Sequence, residues 1–505
     1  MFLSKHGFAL KKSDLSNDEL FKLKKELIGK PLIDNKYNFN NSDTTYPVYF
    51  ETQNNIYIPK MYGIQKYGLN NTTLLDNYNG HSWNDSIVFI GKLYDNQLEP
   101  SNQLYNSCLT KYGGILQLQT GAGKTFCTLY VLSLLKAKTI IIVNKVQLMN
   151  QWITEIQKWL PHARIGKIQG STMDIEDKDI VIGMLQSLSR FNYSNSIFDS
   201  FKCTVIDEIH NISSKVFSKV LFKICSLYTI GLSATPKRSD GCEYIFKWHI
   251  GDIVYKGTDT RNGKPPIIQL IKLDSNLYKE IFTINKFTNE KQLQYVSMLN
   301  ELVLMENRNL FIIHLLKNIF LKEPHRKILL LSDRRNHLQL LHSILEKDSS
   351  INFTYGLFIG GMTNEELNHS RSTQLILATF SIFSEGISEK DLNTLILTTP
   401  KKFIGHMQQY TLKNDNGKLE QIVGRIFRKD HLDYNPLIID LFDNFSIYKS
   451  HSNTRKIFYK NLFTNANFQD LSVNLDNNNQ FHIITKKNKI STSNNTTIDQ
   501  FCILD

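Results

Sequence analysis

Ten short, nearly unbroken apolar runs constrain this chain more than any other feature. GILQL, TIIIV, DIVIG, TVID and TIGLS lie between residues 114 and 233, and KILLLS, TYGLF, QLILA, TLILT and LIIDL between residues 327 and 441. Each has the length and β-branched content of a strand buried on both faces, and longer segments of helical period separate them. Such a rhythm predicts parallel sheets covered by helices, repeated twice. The chain of 505 residues is long enough for about three domains at ~150 residues each. The cluster KGTDTRNGKPP, residues 256–266, reads as the connector between the two layers.

The predicted organisation is an N-terminal accessory module over residues 1–86, α/β domains over 87–256 and 257–450, and a basic patch followed by a mobile polar tail over 451–505. The first module carries short candidate strands, YPVYFE and NIYIPKMYG, between turn-forming residues. In the last segment, TRKIFYK gives way to NLDNNNQ and STSNNTT, which hold little apolar surface. Lys and Arg exceed Asp and Glu by 59 to 47, a net charge of +12 that favours polyanionic partners. The six cysteines form no CxxC pair, and no apolar run approaches the ~18 residues of a membrane span. The N-terminus lacks the apolar region of a secretory signal, so an intracellular, reducing location is expected.

Chemistry first becomes legible in GILQLQTGAGKTFC, where Thr120, Gly121, Ala122, Gly123, Lys124 and Thr125 join a strand pattern to a helix pattern. Glycines there let backbone N–H groups turn toward phosphate oxygens, and the helix N-terminus adds its positive dipole. Lys124 would reach the β and γ phosphates and Thr125 would hold Mg²⁺. The complete pattern opens with glycine where this chain has Leu118. In CTVIDEIHN, Asp207 and Glu208 follow an apolar run and are expected at the carboxyl edge of the sheet. There Asp207 would hold Mg²⁺ and Glu208 would activate water as the general base. TIGLSATPKRSDG brings Ser233 and Thr235 to the same edge, with His210 as a candidate coupler. In KLEQIVGRIFRKDH, Gln421, Gly424, Arg425 and Arg428 share one face of a predicted helix, and the two arginines suit the charge of a transferring phosphoryl group.

Taken in order, these segments resemble the superfamily 2 helicases and translocases of the DExH type. LQTGAGKT is similar to motif I, IIVNKVQLMNQW to motif Ia, VIDEIH to motif II, LSATPKRSDG to motif III, KILLLSDRRNHL to motif IV, ATFSIFSEGI to motif V and QIVGRIFR to motif VI. IFKWHIGDIVY and GISEKDL are similar to the subgroup holding XPB-type translocases, phage recombination helicases and transcript-release helicases of poxviruses and other large DNA viruses. The resemblance implies two tandem RecA-like, P-loop NTPase domains, ATP in the cleft between them and a nucleic-acid track across both. It implies adenine reading by Gln97, with Gln103 as rival, and a track lined by Lys145, Gln147, Gln186, Ser187, Ser332, Arg334, Thr379 and Gly386. Ser388 stands where many members carry aspartate, which weakens the expectation of a ribose contact there.

The function this implies is a nucleic-acid-stimulated ATPase moving 3′ to 5′ on DNA or a DNA/RNA hybrid. The compositional bias suits an AT-rich viral genome, so viral transcription or repair, RNA polymerase as partner, and a viral factory or virion location are the matching expectations. An RNA helicase, or a polymerase-associated remodelling factor that does not unwind, are the competing readings.

Overall fold

The computed structural model describes residues 1–31, 45–68, 73–74, 79–119, 121–211, 214–236, 240–257, 264–284, 289–383, 389–401, 417–429, 431, 433–476 and 481–484. Described residues up to 257 belong to one compact unit; residues 264–401 and those from Lys418 onward form a second.

At the centre of the first unit is an eight-stranded sheet in the order Thr172–Asp174, Ile165–Gln169, Ile180–Met184, Thr139–Val143, Cys203–Ile206, Tyr228–Ser233, Gly113–Gln117, Ile253–Lys256. Every pairing is parallel except that of the first edge strand. The inner strands are apolar on both sides because helices cover both faces, one layer packing on Ile141 and Val205 and the other on Ile140 and Ile206. The order matters for function. The strand ending at Ile206 has the strands ending at Val143 and Ser233 as its two neighbours.

The N-terminal residues form a separate five-stranded sheet on this unit. Two lysines of this N-terminal region, Lys60 at the start of the helix Lys60–Tyr67 and Lys5 in the turn after Phe2–Ser4, reach into the neighbouring core. Lys60, 1% exposed, donates from Nζ to the carbonyls of Tyr112, Ser226 and Leu227 and to Thr229 Oγ1, at 2.8–3.2 Å. Lys5 donates to the Phe201 carbonyl at 2.8 Å. Lys60 is tolerated in such a place because oxygen acceptors surround its Nζ.

The second unit has an eight-stranded sheet in the order Tyr355–Phe358, Leu375–Thr379, Ile328–Ser332, Thr394–Leu397, Leu437–Asp443, Ile267–Ser275, Asn467–Leu475, Phe481–Ile484. All neighbours are parallel except the last pair. All ten apolar runs are strands, so the expected fold class of two tandem RecA-like α/β domains holds. The reading of residues 451–505 as basic patch and tail is corrected as far as Ile484. Ser446–Leu462 is a helix, and Asn467–Leu475 pairs with Ile267–Ser275 over nine residues. The helix buries Tyr448, Ser452, Arg455 and Tyr459, which share one face. Arg455 stays in the core because it forks onto Asp440 at 2.7 and 2.8 Å. Residues 485–505, with STSNNTT, lie outside the described residues.

A chain ended after Phe445 is therefore expected to lose cooperative folding of the second unit, because the strand Ile267–Ser275 would present Ile268 and Leu270 at an open edge. Circular dichroism and thermal melting check this; an unchanged melting profile would show the segment to be dispensable.

Candidate nucleotide and nucleic-acid sites

The phosphate loop follows the strand Gly113–Gln117 and leads into the helix Lys124–Leu135. Gly121 and Gly123 have φ of +90° and +89°, a left-handed backbone that a side chain would strain. Leu118 needs no such freedom. It continues from the strand, is buried, and donates its N–H to the Ser233 carbonyl at 3.2 Å, which explains how this chain departs from glycine at the opening position. Lys124 Nζ donates to the Leu118 carbonyl at 3.1 Å, so the lysine lies folded over its own loop. Thr125 follows it in the first helical turn, and Ala122 donates its N–H to the Gln119 carbonyl at 3.1 Å; Thr120 lies outside the described residues.

Gln97 belongs to this loop's surroundings. It is buried, and a Cβ added to Gly123 would stand 2.2 Å from its Nε2, so the amide packs directly on the last loop glycine. Its Oε1 accepts the Tyr94 N–H at 3.1 Å. The rival Gln103 is exposed and donates to Glu99 at 3.0 Å. Of the two, Gln97 is the one that packs on the loop.

Asp207 and Glu208 emerge where the strand Cys203–Ile206 ends. Asp207 is 6% exposed, and two donors hold its carboxylate: the indole N–H of Trp152 to Oδ2 at 2.9 Å, and the Glu208 backbone N–H to Oδ1 at 2.9 Å. Burial first, and the Glu208 charge second, push its pKa up to about 6; the Trp152 bond and the nearby Lys124 ammonium oppose that rise. Glu208 has φ of +50°, a strained turn for a side-chain-bearing residue. Its Oε2 is buried and accepts no hydrogen bond among the described residues. His210 Nδ1 is 3.4 Å from that oxygen and 2.9 Å from Ser233 Oγ, which itself accepts the Thr235 N–H at 3.1 Å. His210, Ser233 and Thr235 therefore form one connected chain that ends beside Glu208.

Lys145, Gln147 and Gln186 sit at the ends of the neighbouring strands Thr139–Val143 and Ile180–Met184. Gln147 and Gln186 are exposed, and Gln186 donates to the Asn144 carbonyl at 2.9 Å. Ser187 is buried and accepts the Gly170 N–H at 2.8 Å.

In the second unit Ser332 and Thr379 are likewise buried at strand ends. Ser332 Oγ lies 2.9 Å from His337 Nδ1 and accepts the Arg334 N–H at 3.1 Å, while Thr379 Oγ1 lies 3.3 Å from Ser381 Oγ. Both hydroxyls are engaged within the protein itself. Arg334 is more accessible and donates to Asn300 at 2.8 Å. Gly386 and Ser388 lie outside the described residues. The arginine segment is an α-helix only over Gly417–Val423; Gly424–Phe427 is a 3₁₀ turn. The expected single α-helical face is corrected accordingly. Arg425 is buried within that turn, Arg428 caps it, and Gln421 lies in the helix before it. Burial draws the Arg428 pKa down to about 10, against the pull of Glu389.

Comparison with known proteins follows the same residues. The family described as "Type III restriction enzyme, res subunit" matches residues 90–238, which carry the loop, the acidic pair and the Ser233 segment. A protein of Acanthamoeba polyphaga mimivirus, named as an ATP-dependent RNA helicase, is 30% identical over 461 residues, covering 91% of this chain and 85% of its own length. The chain belongs to the superfamily 2 helicases. A protein of African swine fever virus, also named as an ATP-dependent RNA helicase, is 26% identical over 398 residues, covering 73% of this helicase and 72% of its own length. The HsdR subunit fragment of a type I restriction enzyme from Vibrio vulnificus shares the fold, with a TM-score of 0.52 at 15% identity over 78% of this helicase and 71% of that chain.

A divalent cation fits the donors of this helicase's first unit. Thr125 Oγ1 and the Asp207 carboxylate would offer it hard oxygens, and the Asp207 oxygens, each with one donor, keep lone pairs. Sequence reading missed Trp152. Its signal was present, because Met149, Trp152 and Ile156 mark the buried face of the helix Val146–Trp159, and a buried indole N–H needs an acceptor.

The folded-state pKa of Asp207, about 6, exceeds its ordinary value of 3.8, so the fold binds this proton more tightly than the unfolded chain does. Stability from this group is full below the ordinary value and is lost as pH rises through about 6. Without Mg²⁺ at pH 8, Asp207→Asn is expected to raise the melting temperature by roughly 2 °C or more, an advantage that fades toward pH 4. A lower melting temperature at pH 8 would contradict the burial cost assigned to this carboxylate.

Proposed function

We propose that this helicase is an ATP-driven motor that moves along nucleic acid, with DNA or a DNA/RNA hybrid as substrate and 3′ to 5′ movement. The observation that carries the reading is the connected chain Asp207, Glu208, His210 and Ser233 beside a left-handed glycine loop bearing Lys124. In this reading the loop binds the phosphates, Gln97 senses the base, and Thr125 with Asp207 holds Mg²⁺. The metal would neutralise charge developing on the phosphates. Glu208 orients and deprotonates the attacking water; its buried Oε2, which accepts no hydrogen bond among the described residues and has His210 Nδ1 3.4 Å away, supports that role.

Arg425 and Arg428 of the second unit complete the charge stabilisation during turnover, and Gln421 contacts the nucleotide. Binding and hydrolysis of the triphosphate then alternate two states of the motor. His210, Ser233 and Thr235 transmit the change to the strand-binding edge. There Lys145, Gln147 and Gln186 in the first unit, and Arg334 in the second, contact the polynucleotide backbone. Backbone contacts carry little sequence information, so binding is sequence-tolerant and weakens with salt.

Two relatives bear the name RNA helicase, which supports RNA as a second substrate reading. Parallel ATPase titrations with single-stranded DNA, duplex DNA and RNA decide between them: the polymer giving the largest stimulation is the substrate, and no stimulation by any would overturn the motor. Viral transcription or repair, alongside RNA polymerase, is the matching context. Strand-displacement assays distinguish unwinding from remodelling without unwinding.

Glu208→Gln is expected to keep ATP binding and lose at least about 100-fold in turnover. Arg428→Ala should lower kcat much more than it raises KM for ATP. Normal steady-state hydrolysis in the first variant, or an effect confined to KM in the second, would remove these roles.

A further inference from the structure

Trp152 is 1% exposed, and its indole N–H has a single described acceptor, Asp207 Oδ2 at 2.9 Å. The ring packs in the main apolar cluster of the first unit. Packing there asks only for a large apolar side chain; the N–H is surplus to it unless the carboxylate requires the donor. Asp207's other oxygen is fixed by the adjacent Glu208 N–H, a bond the turn itself supplies. Trp152 is thus the one described side chain that donates to this carboxylate, and it comes from a different element, the helix Val146–Trp159. That helix begins beside Lys145 and carries Gln147 in its first turn, so one rigid rod joins the strand-binding edge to the acidic pair.

We propose that Trp152 is a positioning residue for the metal site: its indole N–H occupies Asp207 Oδ2 and fixes the rotation of the carboxylate plane, so that the carboxylate meets a divalent cation already oriented. The proposal rests on the reading of Asp207 as a metal ligand. A donor of this kind belongs to the outer partners of a metal site, whose loss weakens cation binding about 10- to 100-fold. Removing it also leaves a buried oxygen without its partner.

The test compares Trp152→Phe with Trp159→Phe. Trp159 lies on the same helix and donates to Glu155 at 2.8 Å, so its replacement deletes an indole hydrogen bond without touching Asp207. The quantity read is the Mg²⁺ concentration giving half-maximal binding of a fluorescent ATP analogue. It should rise about 10-fold or more in Trp152→Phe and stay at the wild-type value in Trp159→Phe, with excess Mg²⁺ restoring nucleotide affinity. Equal Mg²⁺ dependence in Trp152→Phe and wild type, with matching circular dichroism, would overturn the proposal.

Should Trp152→Phe fail to fold, the wild-type chain answers by itself. It has four tryptophans, hence four indole N–H resonances, and paramagnetic Mn²⁺ with ADP should broaden one of them far more than the others. Equal broadening of all four would also overturn the proposal. Neither readout involves polynucleotide or movement, so failure of the motor reading and failure of this one are seen separately.

Discussion

A carboxylate held at a strand end in a nearly dry place is the constraint around which the first unit's site is organised. Asp207 sits at the end of a strand whose neighbours are Ile142 and Gly231, and burial alone would favour its neutral form. The fold answers with donors: an indole from the helix Val146–Trp159, a backbone N–H from the strained turn at Glu208, and the charge of Lys124 nearby. Those three come from three different elements. The order of the parallel strands is what lets them converge, since the acidic strand lies between the strand leading to that helix and the strand leading to Ser233. A sheet connected otherwise would leave the same residues apart.

The second unit meets a similar constraint with another solution. Asp440 and Asp443 lie within or at the end of the strand Leu437–Asp443, both almost wholly buried. Each is matched by a buried arginine, Arg455 forking onto Asp440 and Arg308 onto Asp443 at 2.9 and 3.1 Å. Tyr459 and Tyr278 complete the two clusters through their hydroxyls. Breaking one partner of such a pair strands a charge in the core, which costs about 3–5 kcal/mol. These pairs tie the C-terminal helix and the helix Glu306–Lys322 to the same strand, and so define where the edge bearing Arg334 stands. Ser332, His337 and Asn309 extend that arrangement, with His337 Nε2 3.0 Å from Asn309 Oδ1.

Residues expected to touch a polynucleotide divide accordingly. Gln147 and Gln186 remain on the surface, while Ser187, Ser332 and Thr379 are buried and engaged within the protein itself. A serine after a buried strand has the same sequence signature in either role. The difference is a rotation of the side chain about its own bond, and pattern reading carries no information on it.

What the amino-acid sequence determined by itself is what depends on local chemistry: ten apolar runs that only doubly covered strands can accommodate, glycines at the two left-handed loop positions, and an acidic pair at a strand end. These follow from neighbours along the chain, so periodicity and residue type suffice. Tertiary structure alone decided which donor reaches Asp207, that Gln97 and not Gln103 packs on Gly123, that the arginine segment tightens into a 3₁₀ turn, and that Asn467–Leu475 joins the second sheet. The donor to Asp207, the packing on Gly123 and the added strand each depend on a partner distant in sequence, the strand Ile267–Ser275 being paired with one 200 residues later. Alternation in a half-exposed edge strand such as NFQDLSVNL is weak, and its apolar side chains become a signal only once a neighbouring strand is there to receive them.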